Sequence, residues 1–250
     1  MKNHYKIIVP FYNVEKWIRK TILSIKHQDQ TDFQCVLIDD LSTDNTVEVI
    51  KKEIEGDSRF LLLQNEEKKY PFENTRYALN TVRPHKEDII VLVDGDDWFA
   101  HGRVLSTLNK EYERTGCWMT YGSYVEYPSM IRGKFSQPVP QPVIEQNKFR
   151  QVPWTTSHLH TFKYGLWANL KKECFIEEEG KKHHFMSAWD LARTYPLLEM
   201  AGSKSHYIQE VLYIYNRQNP LNVDKIDHKV QLETENTIRQ MEPQIPLEIL

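Results

Sequence analysis

The feature that most constrains this chain is an apolar run that ends in a cluster of carboxylates. Residues 89–93 read Ile-Ile-Val-Leu-Val, the pattern of a strand that is buried on both faces of a helix-covered parallel sheet. Asp94, Asp96 and Asp97 follow directly, and Gly95 lies between the first two. Glycine allows a sharp turn and a close approach of the backbone to a ligand.

The carboxylates at this strand end need a counter-charge. Acidic side chains that are crowded together repel one another, and a hard divalent cation accepts carboxylate oxygens as ligands. Ligands of open α/β sheets also bind outside the carboxyl ends of the strands. We therefore predict that Asp94 and Asp96 form a metal and nucleotide site. The alternative is a solvated Asp-Gly turn.

Strand and helix patterns alternate through the first hundred residues. Strands are predicted over 6–10, 33–38, 60–64 and 89–93, and helices over 14–25, 47–54 and 74–82. Pro10 is expected to end the first strand, because proline cannot donate to a sheet ladder. This alternation predicts an α/β domain with a mostly parallel sheet of about four strands covered by helices.

The pattern changes after Asp97. Proline alternates with other residues at 138, 140 and 142, so the segment 127–153 is predicted to be an ordered loop or lid, without a helix or a central strand. The remaining predictions are a helix after Gly102, a strand over 118–125, a helix over 187–200 that includes Pro196, a strand over 207–215, a polar loop over 216–225 and a helical tail.

Composition and cysteine usage exclude several classes of protein. The formal net charge is −3, from 32 basic and 35 acidic residues, so neither nucleic acid nor an anionic membrane is expected as the main partner. Cys35, Cys117 and Cys174 are scattered, which argues against a disulfide framework and a zinc site and favours a reducing compartment. No signal peptide and no membrane-length apolar run occur. We expect a soluble, cytoplasmic protein whose oligomeric state the sequence does not fix.

Three segments occur in an order that resembles a known family. They are Ile8-Val9-Pro10-Phe11-Tyr12-Asn13, the acidic run Leu37–Thr46, and Val93-Asp94-Gly95-Asp96-Asp97, each at the end of a predicted strand. This arrangement is similar to the family 2 glycosyltransferases of GT-A fold. Because the chain lacks a Gln-x-x-Arg-Trp motif, it resembles the non-processive, soluble members of this family.

The resemblance implies a fold and a separate role for each half of the chain. It implies a Rossmann-like, mostly parallel central sheet with helices on both faces, and an acceptor-side half with mixed strands and loops. Residues 1–100 would form the nucleotide-sugar half, 101–225 the half that binds the acceptor and supplies the base, and 226–250 a tail. The donor would be a nucleotide-sugar, commonly a UDP-sugar, and the sugar would be transferred with inversion, although retention stays open.

The resemblance also implies roles for individual residues. Pro10 and Tyr12 lie where the first loop of the family touches the base, Asp40 where a carboxylate hydrogen-bonds the pyrimidine, and Arg76 near the base and phosphates. Asp94 would contact the ribose or a metal-bound water, and Asp96 would bind Mn²⁺ or Mg²⁺ directly. Such an ion neutralises the charge that develops on a diphosphate leaving group.

Asp190 is the best match to the catalytic base of the family, although Trp189 replaces the usual glutamate. It would accept the proton of the acceptor hydroxyl. The alternative is a carboxylate that only stabilises a helix N-terminus.

Other candidates lie beyond the metal motif. His158 and His160 are expected to point the same way on a strand, as diphosphate or metal contacts or as ordinary packing. Arg217, Asn219 and Lys225 would close over the phosphates or form a plain polar loop. The aromatic segment 154–167 is expected to line the acceptor side.

Three functions are weighed against each other. The first is a metal-dependent glycosyltransferase that acts on a hydroxyl of a glycan, a lipid-linked sugar or a protein. The second is a catalytically silent module that binds nucleotide-sugar or glycan. The third, a nucleotidyltransferase, is disfavoured because the loop at 10–13 lacks a glycine-rich basic sequence.

Overall fold

The computed structural model describes residues 3–171, 189–222 and 228–250, without the side chains of 228–230. Its strands form one mixed sheet in the order β3-β2-β1-β4-β8-β6-β9-β5, with β7 paired to β6. The strands are β1 Tyr5–Phe11, β2 Phe33–Asp39, β3 Phe60–Gln64, β4 Ile89–Leu92, β5 Trp98–Phe99, β6 Met119–Tyr127, β7 Ile131–Arg132, β8 Thr161–Lys163 and β9 Ser205–Asn216.

Helices cover both faces of this sheet. The described helices are α1 Ile18–Lys26, α2 Thr46–Ile54, α3 Tyr70–Val82, α4 Val104–Thr115, α5 Gln141–Glu145, α6 Tyr164–Ala168, α7 Trp189–Ala201 and α8 His228–Gln240. Single 3-10 turns lie over Phe149–Gln151 and Gly202–Lys204.

The first four strands are parallel, as the alternating pattern predicts. β1 pairs with β2 and β4, and β2 pairs with β3. Because successive side chains of a strand point to opposite faces, β1 sends Ile7 and Val9 to one core and Ile8 to the other. The first core packs against α1, α2 and α4, and the second against α3, α6 and α7. The strand ends are therefore held rigidly from both sides.

The second half of the sheet is mixed. β8 runs antiparallel to both β4 and β6, β9 is parallel to β6, and β5 is antiparallel to β9. Because β5 follows the acidic turn after β4, this pairing brings the end of β9 against that turn.

The structure corrects several predicted boundaries. Pro10 lies inside β1, opposite Ile38, and does not end the strand. Its carbonyl accepts the N–H of Gly95, on the side where β4 has already ended, so no ladder bond is lost. α1 begins at Ile18 and not at Val14, since Val14 belongs to a turn that is held by Thr46 Oγ1. α3 begins at Tyr70, four residues before Asn74.

The prediction that 127–153 contains no helix is wrong. α5 forms over five residues directly after Pro140, with Pro142 in its first turn, where the missing N–H costs no hydrogen bond. The rest of the segment carries β7 and one 3-10 turn. The predicted helix around Pro196 is confirmed from Trp189 onward, whereas Ser187 lies outside the described residues. The predicted tail helix is present as α8.

Within the described ranges, no helix combines the length and the apolar character that crossing a bilayer requires. Cys35 and Cys117 are free and buried, and Cys174 lies outside these ranges.

A buried ion pair anchors the C-terminal part of α7. Glu199 is fully buried and accepts hydrogen bonds from the Arg150 guanidinium, one of them 2.9 Å long, and from the Gln244 N–H. Arg150 also donates to the Ile238 carbonyl, which links α7 to α8. A buried charge is tolerated because its partners replace the lost water.

Arg150→Ala is expected to lower the free energy of unfolding by about 3–5 kcal/mol, because it leaves the Glu199 charge buried without its partner. The exposed pair of Arg114 and Glu111 supplies the control, since Arg114→Ala removes an ion pair that is worth roughly 0–1 kcal/mol. Urea unfolding of both variants measures the difference. Equal losses would contradict the structural importance of the buried pair.

Candidate active site

The acidic turn after β4 is fixed by Asp97, a buried carboxylate. Its Oδ2 accepts the hydroxyl of Tyr213 at 2.7 Å and its Oδ1 accepts the N–H of Asn216 at 2.7 Å, so both oxygens bond to β9. Tyr213 also accepts the N–H of Asp94 at 3.1 Å. Burial, followed by the charges of Asp96 and Asp94, raises the pKa of Asp97 well above its ordinary value. Asp97 is thus a structural link between the turn and β9.

Gly95 is required by packing. A Cβ at this position would lie 2.4 Å from Cβ of Phe11, so no side chain fits against β1. Its φ lies outside the left-handed region, so close approach and not an unusual backbone conformation selects glycine. The close approach that the sequence predicts at Gly95 is made to Phe11 of β1.

Asp94, Asp96 and Asp190 converge at the carboxyl end of β4. Burial first, then the charges of Asp190 and Asp96, raise the pKa of Asp94 well above its ordinary value, while Arg193 opposes this shift. Asp96 Oδ2 accepts the side-chain amide of Asn219 at 2.7 Å. Asp190, from the first turn of α7, therefore lies within electrostatic reach of a residue 96 positions earlier in the chain.

The donor set of this turn fits a hard divalent ion. Asp94 and Asp96 offer carboxylate oxygens at one turn, and their mutual repulsion favours a cation between or beside them. Among the described residues, no three Asp, Glu, His or Cys side chains form a ready cage. Mg²⁺ and similar ions are often held by only one or two carboxylates, with water and phosphate oxygens completing the shell.

Asp40 is engaged in local structure. It is buried, and its carboxylate accepts the N–H groups of Lys69 and Tyr70 and the amide of Asn65. It therefore holds the start of α3 against the end of β2. Its predicted hydrogen bond to a base stays a prediction.

Lys68 contacts both Tyr12 and Asp40. The Lys68 ammonium is 3.0 Å from the centre of the Tyr12 ring and 3.7 Å from Asp40 Oδ2. The Pro10 carbonyl accepts the N–H of Gly95, and the Phe11 carbonyl accepts the N–H of Asp40. Pro10, Tyr12 and Asp40, which are predicted to contact the base, therefore lie at the same edge of the sheet as Asp94.

The two predicted arginines lie in different settings. Arg76 is exposed on α3, and its guanidinium pairs with Glu73 one turn earlier. Arg217 follows β9, donates its N–H to Tyr127 and packs its guanidinium 5.7 Å from the Tyr215 ring. The loop that carries Arg217 reaches the acidic turn through Asn219, while Lys225 lies outside the described residues.

His158 and His160 precede β8, so the prediction that they lie on a strand is wrong. His158 stacks on Tyr213, with ring centres 4.7 Å apart. His160 is buried beside Arg193, with its Nδ1 3.2 Å from Arg193 Nη2. Burial lowers the pKa of both imidazoles, most strongly for His160, where Arg193 and His158 add to the effect.

Three residues of the site escaped the sequence analysis. Tyr213 and Asn216 belong to a predicted strand and its following loop, and only the pairing of β9 with β5 reveals that both residues contact Asp97. Arg193 was passed over, although it follows Asp190 by one helical turn, the spacing at which side chains meet. That spacing was the available signal.

The sequence model described as "Glycosyl transferase family 2" matches residues 6–172 of this chain. An "Uncharacterized glycosyltransferase" of Haemophilus influenzae is 31% identical over 118 residues, which is 47% of this chain and 46% of the relative. The matched part thus spans about half the length of that relative.

Solved structures show the same fold. Staphylococcus aureus TarS 1–349 in complex with UDP-GlcNAc superposes with a TM-score of 0.67 at 18% identity, covering 94% of this chain and 65% of that one. The mannosyltransferase PcManGT from Pyrobaculum calidifontis, in complex with GDP-Man and Mn²⁺, gives 0.62 at 19% identity, with 98% and 66% covered. The mixed α/β sheet is therefore of GT-A type.

His160→Gln is expected to weaken the acid sensitivity of folding. Burial keeps this histidine neutral in the folded protein, whereas in the unfolded chain it gains a proton once the pH falls below its ordinary pKa. Its contribution to stability is therefore present above that pH and is lost below it, by up to about 1.4 kcal/mol per pH unit. Urea unfolding with EDTA at about pH 7.5 and about pH 5.5 measures the loss. Exposed His27→Gln is the control. An unchanged pH dependence in His160→Gln would contradict the buried neutral state.

Proposed function

The chain belongs to glycosyl transferase family 2, and from this premise we propose that it transfers a sugar from a nucleoside diphosphate donor to a hydroxyl acceptor. The observation that carries the proposal is the convergence of Asp94 and Asp96 with Asp190 at the end of β4. The acidic turn would hold the donor, and Asp190 would receive the proton of the acceptor. Donor site and base then lie side by side, as a direct displacement requires.

A UDP-sugar is the first candidate donor. Support comes from the complex of TarS with UDP-GlcNAc, and the GDP-Man complex of PcManGT makes a GDP-sugar the second. In this chain, Tyr12 offers an aromatic face beside the edge of the sheet where Asp94 lies, and Asp40 stands next to it. Base recognition by Pro10, Tyr12 and Asp40, and phosphate contacts by Arg76, Arg217 and His158, form part of the proposal. His160 is left out, because both of its ring nitrogens already bond to Thr156 and Arg193.

The reaction is an inverting displacement. The acceptor oxygen attacks the anomeric carbon, its proton passes to a carboxylate oxygen of Asp190, and the bond from the anomeric carbon to the phosphate oxygen breaks. The nucleoside diphosphate leaves with that electron pair. When bound through Asp96 and Asp94, Mn²⁺ or Mg²⁺ supplies positive charge that stabilises the diphosphate leaving group.

The acceptor is a hydroxyl of a glycan, a lipid-linked sugar or a protein. Aromatic side chains around 154–167 offer faces on which a sugar ring can stack, and Trp154 lies beside both Tyr195 of α7 and His160. The two described cysteines are buried thiols, which fits a reducing compartment such as the cytoplasm.

Asp96→Asn is expected to abolish metal-dependent donor binding, because the amide cannot supply the carboxylate charge that binds the ion. Isothermal titration of UDP, GDP and their sugar conjugates, with Mn²⁺ and then with EDTA, measures the loss. Exposed Asp29→Asn, outside the site, should bind as the wild type does. Donor binding that survives both EDTA and Asp96→Asn would refute the metal assignment.

Asp190→Asn is expected to lower the rate of transfer by about 10²–10⁴-fold, the usual contribution of a general base, and to leave donor binding near normal. Release of the nucleoside diphosphate measures turnover, and titration measures binding. A variant that keeps full turnover would remove Asp190 from the mechanism. A wild-type protein that binds the donor without any turnover would favour the silent binding module.

A further inference from the structure

Arg193 holds an unusual place beside the proposed base. Its guanidinium is 2% exposed and donates from Nη2 to Asp190 Oδ1 at 3.0 Å. Trp189 covers one face of the group, with the guanidinium carbon 4.6 Å from the centre of the ring. The positive charge also lies close enough to Asp94 to oppose the rise in the pKa of that carboxyl. Arg193 is therefore a buried cation between the proposed base and the acidic turn.

His160 holds Arg193 from the other side. Its Nε2 bonds to the carbonyl of Thr156, and its Nδ1 lies 3.2 Å from Arg193 Nη2. A carbonyl only accepts and a guanidinium only donates, so the imidazole must carry its proton on Nε2 and accept at Nδ1. Arg193 Nη2 therefore donates on one side to neutral His160, which in turn donates to Thr156, and on the other side to Asp190.

The fold alone does not explain Arg193. Its Nε and Nη1 are buried and find no hydrogen-bond partner among the residues that the structure describes, which costs stability. Arg150, the other buried arginine that pairs with a carboxylate of α7, shows the contrast, because its guanidinium donates twice to Glu199 and once to a carbonyl. An apolar residue at position 193 would pack there without leaving buried hydrogen-bond donors that lack an acceptor.

We propose that Arg193, oriented by His160, is a positioning residue that fixes the orientation of the Asp190 carboxylate. This inference rests on the proposed function, in which Asp190 is the base. Arg193 Nη2 is held between Asp190 Oδ1 and His160 Nδ1, and the Trp189 ring covers the guanidinium. One fixed hydrogen bond also selects one orientation of the carboxylate, and small displacements of a catalytic group cost large factors in rate.

The test compares Arg193→Met and Arg193→Lys with the wild type and with Asp190→Asn. Turnover is followed by release of UDP or GDP from a panel of their sugar conjugates with Mn²⁺, with water or an added sugar as the acceptor. Arg239→Met is the matched control, since Arg239 also donates to backbone carbonyls and pairs with a carboxylate, but lies on α8. Circular dichroism and urea unfolding establish that each variant is folded.

In Arg193→Met, kcat is expected to fall about 100-fold, while KM for the donor changes less than about threefold. Arg193→Lys keeps the charge but loses the planar guanidinium, so it is expected to recover only part of the lost kcat. Arg239→Met should keep the wild-type kcat and KM.

Two other results separate the possible failures. If Asp190→Asn is inactive, but Arg193→Met keeps the wild-type kcat, the positioning role is refuted and the proposed function stands. If the wild type turns over none of the conjugates, or Asp190→Asn is fully active, the proposed function fails and the inference fails with it. If Arg193→Met does not fold, Arg193→Lys decides, and a folded Arg193→Lys with the wild-type kcat would refute the positioning role of the guanidinium.

Discussion

The carboxylate of Asp97 is the interaction on which the rest of the site depends. It joins the turn after β4 to the end of β9 with both of its oxygens, and Tyr213 extends this link to the backbone of Asp94. A buried carboxylate with satisfied hydrogen bonds specifies one arrangement, because any slip of β9 would leave a charge or donor without a partner. Asp97 therefore serves the structure, and in the proposed function it is Asp94 and Asp96 that hold ligands.

The two halves of the sheet contribute different things to this arrangement. The parallel half gathers the ends of β1, β2 and β4 at one edge, which is a general property of such sheets. The mixed half returns α7 and the end of β9 to the same edge, and so adds Asp190 and Asn219. Neither half forms the site alone, and α7 and β9 lie beyond the residues 6–172 that the family model matches.

The sequence predicted the first half well because its signals are local. Strands that are buried on both faces read as continuous apolar runs, and β2 and β3 were placed within one residue of their observed ends. The first residues of α1 and α3 were predicted less accurately. Val14 is buried without being helical, and α3 begins at Tyr70, before the apolar period is visible. Contacts such as Asp97 with Tyr213 join residues 116 positions apart, and no spacing rule reaches that far. Arg193 could have been found, since it lies one turn after Asp190.

Pro196 divides α7 into two parts. Proline has no N–H, so the carbonyl of Ala192 lacks its helical partner, and the backbone link between the first turn and the rest of the helix is weakened. Beyond the proline, Glu199 is fastened to Arg150, while Asp190 and Arg193 precede it. The consequence is mechanical independence: a small shift of the first turn is not passed along the helix backbone to the anchored part. The contacts that fasten the end of α7 therefore do not dictate where its first turn points.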